Sequence, residues 1–332
     1  MAPLEGPRGP RGWERGYKGP GGPLDRPGGG TMSDGAVGGG LEAVAESYRR
    51  FQPRAYLVNN YRPPRGDLSR PDGVGPWKLG CLAQTFASGE RSGGEGTGDG
   101  GAGGGPGTQA SGFPPPGEVR GRSLLDVGSG PTVYQLLSAC AHFEDITMTD
   151  FLEVNRRELR DWLCRDPGAF DWSPYSRHVC LIEGKGETWQ DKERQLRERV
   201  KRVLPIDVHQ DQPLGSAGAG TVPVDALVSA FCLEAVSPDK ASFQRALDHI
   251  TTLLRPGGHL LLIGALEESF YLAGSARLAV VPLKEEEVRE ALARSGYGIR
   301  DFRTYSMPAS LQTGVDDVRG VFFAWAQKGA AP

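Results

Sequence analysis

From residue 122 onward, short apolar stretches rich in β-branched residues alternate with amphipathic ones. That alternation restricts the possible folds more than any other feature of the chain. Ser123–Val127, Asp145–Thr149, Val203–Val208, Ala226–Phe231 and His259–Ile263 read as strands. Between them lie a helical stretch at Thr132–Cys140, one carrying Leu152, Leu159, Trp162 and Leu163, and a highly charged one over 187–202. Ser237-Pro238-Asp239 opens a further helix, a cap residue followed by proline, with Phe243, Ala246, Leu247, Ile250 and Leu254 as its apolar face. Arg255-Pro256-Gly257-Gly258 stops it. Glu285–Ser295 is a helix terminated by Gly296, and Tyr297–Met307 and Gly320–Gln327 are the last strands. Residues 166–186 carry no clear period. Repeated strand–helix–strand units imply an α/β fold, a mostly parallel sheet with helices on both faces.

Upstream, Leu41, Val44, Tyr48 and Phe51 recur at helical spacing, predicting a helix over 41–52 ended by Pro53. A turn-rich stretch follows, through Asn59-Asn60-Tyr61 and Pro63-Pro64-Arg65-Gly66. Leu79, Leu82 and Phe86 then predict a helix over 76–87. Composition matters in two places. Residues 1–40 and 88–121 each hold 14 of the 49 glycines and few aliphatic residues, so both are expected to be disordered. The expected organisation is an extension at 1–40, one α/β domain at 41–328 interrupted by the 88–121 insert, and a tail at 329–332.

Several function classes recede. The longest apolar run, Leu260–Leu266, is far short of the roughly 20 residues a membrane helix needs. The start of the chain has no apolar segment of the secretory kind. Five cysteines without a C-x-x-C pair read as reduced thiols in the cytosol. A net charge of −3 argues against a nucleic-acid partner, and the five histidines lack metal-ligand spacing, so no metal is expected.

In parallel sheets of this kind ligands sit beyond the carboxyl ends of the strands. After the first strand comes Asp126-Val127-Gly128-Ser129-Gly130-Pro131-Thr132, whose two glycines allow a sharp turn and close approach to a ligand ahead of a helix N-terminus. It is not a dinucleotide fingerprint, because Val133 stands where G-x-G-x-x-G requires glycine. Asp150, about 20 residues on, is placed to accept ribose hydroxyls, although in isolation it would also serve as a helix N-cap. Asp207-Val208 follows the third strand and is placed to receive an adenine amino group. Phe231-Cys232-Leu233-Glu234 follows the fourth, and Glu267-Glu268 the fifth. A nucleoside cradle with acidic strand ends and no phosphate-binding machinery suits S-adenosylmethionine. Read singly, Glu267-Glu268 is also consistent with a solvated strand end, Asp316-Asp317 with a turn, and Lys78 with a surface lysine.

Leu125–Tyr134 resembles the first motif of class I methyltransferases. Tyr56–Tyr61, Phe151–Arg156, Phe231–Val236 and Arg255–Leu260 are similar to the small-amine group of that superfamily, which contains nicotinamide, indolethylamine and phenylethanolamine N-methyltransferases. Gly66-Asp67-Leu68, Gly75–Lys78, Gly264–Tyr271 and Leu311–Asp317 resemble its phenylethanolamine branch most. The resemblance runs from about residue 42 to 328. The family has a short link where this chain carries 88–121.

The resemblance implies a Rossmann-like class I S-adenosylmethionine-dependent methyltransferase. Its mostly parallel seven-stranded sheet would have helices on both faces and an N-terminal helical cover. The implied reaction is methyl transfer to the primary amine of a phenylethanolamine, as in conversion of noradrenaline to adrenaline, with indolethylamines or nicotinamide as the alternative substrates. It further implies that Tyr48, Tyr56 and Tyr61 close over the cofactor and that Gly128, Ser129 and Tyr134 hold its methionine end. Asp150 takes the ribose with Asn155 nearby, Asp207 and Val208 hold adenine, and Ala230 lines the methionine side. Glu234 and Glu268 face the substrate amine as the catalytic pair, and Asp316 its β-hydroxyl. Lys78, Tyr175, Phe231, Tyr271 and Met307 wall the aromatic ring. A cytosolic monomer is expected. A non-catalytic S-adenosylmethionine sensor is the competing class, and the carboxylates at 234 and 268 argue against it.

Overall fold

The computed structural model describes residues 34–87 and 119–330. The expected disorder of 1–33 and 88–118 lies outside the described residues. The chain opens with α1 (Asp34–Tyr48), α2 (Pro53–Tyr61) and α3 (Val74–Phe86), then β1 (Ser123–Val127), β2 (Asp145–Asp150), α4 (Glu153–Leu163), α5 (Ser173–Glu183), α6 (Trp189–Arg199) and β3 (Val200–Pro205). It continues through β4 (Val224–Ala230), α7 (Leu233–Val236), α8 (Lys240–Thr251) and β5 (Leu254–Leu266). A hairpin β6 (Phe270–Ala273) and β7 (Ala276–Ala279) precedes α9 (Glu285–Arg294), β8 (Tyr297–Ser306) and β9 (Gly320–Lys328).

Seven strands form one sheet in the order β3-β2-β1-β4-β5-β9-β8. The first five are parallel, and β9 runs antiparallel to both β5 and β8. The chain winds outward from β1 to β3, then crosses back to lay β4 on the other side of β1. The crevice between the ends of β1 and β4 is therefore the topological switch point where ligands bind in such sheets.

Period-two alternation divides the core between the two faces. Leu124, Val228, Leu261 and Ile263 join a cluster with Leu79, Leu82 and Phe86 of α3 and with Leu159 and Trp162 of α4. Their neighbours Leu125, Leu227, Leu260 and Leu262 pack on the other face with Phe243, Leu247 and Ile250 of α8 and Val288 and Leu292 of α9.

Several elements differ from expectation. α1 begins at Asp34, inside the glycine-rich stretch, and ends at Tyr48 rather than 52. A Cβ on Gly40 would stand 3.1 Å from Pro238, so a glycine lets the helix lie against the loop after α7. α2, with Pro53 in its first turn, takes in Asn59–Tyr61, the first part of the expected turn-rich stretch. Residues 132–140 form two single 3₁₀ turns, Tyr134–Leu136 and Ala139–Ala141, instead of an α-helix. There the Thr132 hydroxyl donates to the Ser129 carbonyl at 2.9 Å, and Gln135 Nε2 donates to Asp126 Oδ2 at 2.8 Å, so local side-chain bonds compete with a helical ladder. The dipole of a long helix is thus not available to the glycine loop. β3 lies earlier than expected, pairing Asp150 with Pro205, which leaves Asp207 and Val208 in the loop beyond it. The cap of α8 is Asp239, not Ser237, and its carboxylate accepts the Ser242 N–H at 2.7 Å. β5 starts at Leu254, so the Arg255–Gly258 stretch already belongs to the strand.

Candidate active site

A cavity of about 330 Å³ opens at the carboxyl ends of β1, β2 and β4, covered by α1 and α2. The glycine loop forms its floor. Gly128 has φ +66°, and a Cβ there would lie 2.1 Å from Cys232 Sγ, so both the conformation and the packing require glycine. Gly130, at φ +59°, would have nothing within 4 Å of its Cβ. Beside it stands Asp150, buried at the end of β2. One of its oxygens accepts the Gly130 N–H at 2.8 Å, and the other accepts the Leu152 N–H at 2.8 Å and the Asn155 amide at 3.0 Å. Burial pushes the Asp150 carboxyl above its usual range, while these donors act in the opposite sense. The N-cap-like contact to Leu152 and a place in the cavity wall coexist. Asn155 Oδ1 is buried without a partner, an acceptor free for a ligand donor. Asp207 and Val208 line the far end, with the Asp207 carboxylate accepting the His209 N–H at 3.0 Å.

A second, smaller cavity of about 70 Å³ adjoins the first. Tyr56, Tyr61, Phe231 and Tyr271 line both. Phe231 sits at the tip of β4 with φ +53°, and Glu267 at the tip of β5 has the same φ. A bulky side chain in the left-handed region costs roughly 1–2 kcal/mol, so the surrounding contacts over-determine this position. The Phe231 N–H is tied to the Ile263 carbonyl at 2.8 Å.

Three carboxyl groups line the smaller cavity. Glu234, on the short α7, is 1% exposed; its Oε1 accepts the Ala265 N–H at 2.9 Å, and its Oε2 has no partner. Burial pushes this carboxyl up to about 7. Glu268 follows β5, and no described donor reaches its side chain. Burial first, then the nearby charges of Asp316 and Glu234, push it well above the ordinary carboxyl range. Asp316 is gripped by the guanidinium of Arg65 through both carboxylate oxygens. Lys78 of α3 is 6% exposed, with its ammonium 4.5 Å from the Tyr134 ring centroid, 4.9 Å from that of Phe231 and 5.2 Å from that of Tyr61. Burial, with a smaller contribution from Arg65, lowers it to about 7.

Most of the residues singled out from the sequence converge. Tyr48, Tyr56, Tyr61, Gly128, Ser129, Asp150, Asn155, Asp207, Val208 and Ala230 line the larger cavity. Lys78, Phe231, Glu234, Glu268, Tyr271, Met307 and Asp316 line the smaller. Two do not reach either wall. Tyr134 is packed behind the site, its ring 5.4 Å from that of Tyr61, and its buried hydroxyl has no partner. Tyr175 donates to the Tyr61 carbonyl at 3.4 Å and packs on Trp172, so it backs Tyr61 instead of facing a ligand. The 3₁₀ turn that replaces the expected helix carries Tyr134 into this aromatic cluster. The sequence alone does not identify Arg65 and Asn60 as site residues; Arg65 lies in the Pro63–Gly66 stretch and Asn60 near the end of α2, where turn-forming residues conceal them. Gly66 permits that turn, because a Cβ there would lie 2.2 Å from the Tyr61 carbonyl.

The larger cavity has apolar walls, several polar groups that converge, and no lysine or arginine in its described lining. It fits a neutral nucleoside with an attached amino acid better than a phosphorylated cofactor. The smaller is acidic and aromatic, suited to an aryl amine.

A human phenylethanolamine N-methyltransferase (Homo sapiens) is 70% identical over 302 residues, covering 91% of this chain and 96% of that protein. The corresponding pig protein (Sus scrofa) is 72% identical over 87% of this chain and 92% of its own length. Among solved structures, magnesium protoporphyrin IX methyltransferase from Synechocystis PCC 6803 has a similar fold. Its TM-score is 0.50, at 12% identity over 87% of this chain and 97% of that one. The model of the NNMT/PNMT/TEMT family matches residues 40–106 and 113–329, and the chain belongs to that family.

Proposed function

We propose that the chain transfers the methyl group of S-adenosylmethionine to the primary amine of phenylethanolamines, noradrenaline among them, giving adrenaline. One observation carries the reading. A cation-free nucleoside cavity and an acidic aryl-amine cavity meet at Tyr56, Tyr61, Phe231 and Tyr271. The high identity to phenylethanolamine N-methyltransferases supports it.

Bound S-adenosylmethionine supplies an electrophilic methyl group. In this reading Asp150 and Asn155 hold the ribose, Asp207 and Val208 the adenine, and the Gly128–Gly130 loop with Ala230 the methionine end. Tyr48 and the α1 cover exclude water. The amine arrives protonated, since an alkylamine has a pKa of roughly 10. A positive charge entering the smaller cavity favours the ionised forms of Glu234 and Glu268. Glu268 then holds the ammonium, and Glu234 accepts the proton that frees the lone pair. Phe231, Tyr271, Lys78 and Met307 orient the ring, and orientation contributes up to roughly 7–11 kcal/mol in favourable cases.

The reading includes a cytosolic monomer, with 41–328 as the working unit. The five free cysteines support a reducing compartment. Among the described residues no helix is long and apolar enough to cross a membrane. The deciding test is transfer of a radiolabelled methyl group to phenylethanolamine, tryptamine and nicotinamide side by side. Phenylethanolamine is expected to be the best substrate by kcat/KM, and a higher value for either competitor refutes the assignment.

A further inference from the structure

Arg65 has no part in the roles assigned above, yet its side chain lines the smaller cavity at 5% exposure. Four of the five N–H groups of its guanidinium are committed. Nε donates to the Leu311 carbonyl at 3.1 Å, one terminal nitrogen donates to Asn60 Oδ1 at 3.3 Å and to Asp316 Oδ2, and the other donates to Asp316 Oδ1 at 2.6 Å. Among the described residues the only further donor to Asp316 is the Val318 N–H, at 3.4 Å. Three carboxyl groups thus share a cavity proposed to admit one ammonium. Among the described residues Asp316 is ion-paired, while Glu234 and Glu268 form no ion pair and Arg65 acts on Glu268 only through its more distant charge.

We propose that Arg65 is a positioning residue that sets substrate specificity: its two-nitrogen grip holds Asp316 as a reader of the substrate hydroxyl and keeps it from competing for the amine. A carboxylate neutralised by a buried guanidinium attracts a second cation weakly. Its oxygens together offer about four acceptor positions, so a hydroxyl can still donate to it. The amine is left to the two glutamates. Arginine is required, because a lysine carries a point charge on a flexible stem and cannot form the fork. The inference rests on the proposed phenylethanolamine activity.

The experiment compares wild type, Arg65→Lys and Asp316→Ala for kcat/KM on phenylethanolamine and on phenethylamine, which lacks the hydroxyl. The affinity for S-adenosylhomocysteine is measured in parallel as a check on folding, since Arg65 does not line the larger cavity. Arg65→Lys is expected to shrink the preference for the hydroxylated amine by about tenfold, mainly by raising its KM, and so to approach Asp316→Ala. An unchanged preference, or an equal loss on both amines, overturns the inference. If Arg65→Lys does not fold, Asn60→Ala loosens the same guanidinium without stranding a charge and should lower the preference about threefold. No change there overturns it as well. Wild-type protein that methylates neither amine removes the activity reading itself and this inference with it. Wild-type preference with Arg65→Lys behaving as wild type removes only the role of Arg65.

Discussion

The hydroxyls of Tyr48 and Tyr271 lie 2.8 Å apart, joining the helix that covers the larger cavity to the hairpin that walls the smaller one. The Tyr48 hydroxyl also reaches the Ala235 carbonyl at 3.1 Å, one residue beyond Glu234. Closure over the cofactor and the shape of the amine pocket therefore share a hydrogen bond. Tyr271→Phe should weaken S-adenosylhomocysteine binding as well as raise the amine KM, each about fivefold, the worth of roughly 1 kcal/mol. Tyr48→Phe should do the same, and the double variant should be little worse than either single one. Calorimetry and steady-state kinetics on the three variants check this; strictly additive effects would show that the contact couples nothing.

Asp150 combines a ligand-facing position with three internal donors, from Gly130, Leu152 and Asn155. Asp150→Ala should raise the Kd for S-adenosylmethionine and S-adenosylhomocysteine by the same factor, more than about tenfold, since the ribose is common to both. It should also lower Tm, because the Gly130 and Leu152 N–H groups lose their acceptor. Titration calorimetry with unchanged affinity for both would leave Asp150 with the structural task alone.

The sequence was most legible where chemistry repeats with the fold. Alternating strands and helices announce the switch point, and acidic residues directly after strands mark Asp150, Asp207, Glu234 and Glu268. What escaped depends on distant partners. Arg65 meets Asp316 across 251 positions, which no local pattern encodes. The β6–β7 hairpin is two strands of four residues each, too short for alternation to stand out. Tyr134 follows a genuine glycine motif, but Thr132 and Gln135 turn their side chains back onto the loop, and the helix expected there does not form. The start of α1 escapes because residues 34–40 carry four glycines and no apolar period, although Gly40 serves close packing there.

Asp126 offers a stability prediction separate from activity. It is fully buried beneath the glycine loop, with Oδ2 accepting from Gln135 and Oδ1 unpartnered, and burial pushes it up to about 7. Between its unfolded value, near 3.9, and about 7, the native state holds a proton that the unfolded state has released. Stability is therefore full below the unfolded value and falls as pH rises towards the folded one. Asp126→Asn mimics the protonated form and lacks this loss. Relative to wild type it should gain about 3 kcal/mol between pH 5 and pH 8. Denaturant unfolding at the two pH values gives the difference directly, and a constant gap between the proteins would contradict the buried-acid account.

The two glutamates differ in what holds them, and that difference predicts different kinetics. Glu234 is fixed through Oε1 by the Ala265 N–H, leaving Oε2 bare. Among the described residues Glu268 has no side-chain donor, and burial, then the charges of Asp316 and Glu234, raise its pKa. In the free enzyme both carboxyls titrate above the usual range, so kcat/KM should rise with pH through about 7, with apparent values that belong to the pair. Glu234→Gln removes a like charge from beside Glu268, and the remaining ascending limb should move to lower pH. The same variant should lower kcat by about 100-fold or more while KM changes little, the signature of a group needed only when the proton leaves. Glu268→Gln should chiefly raise KM, because holding the ammonium is common to the ground and transition states. Profiles of kcat and kcat/KM from pH 5.5 to 9 on phenylethanolamine separate these outcomes. If Glu234→Gln alters KM alone, the proton passes to Glu268 or to solvent. If neither variant moves the ascending limb, that limb reports the amine's own titration and the carboxyls only position it.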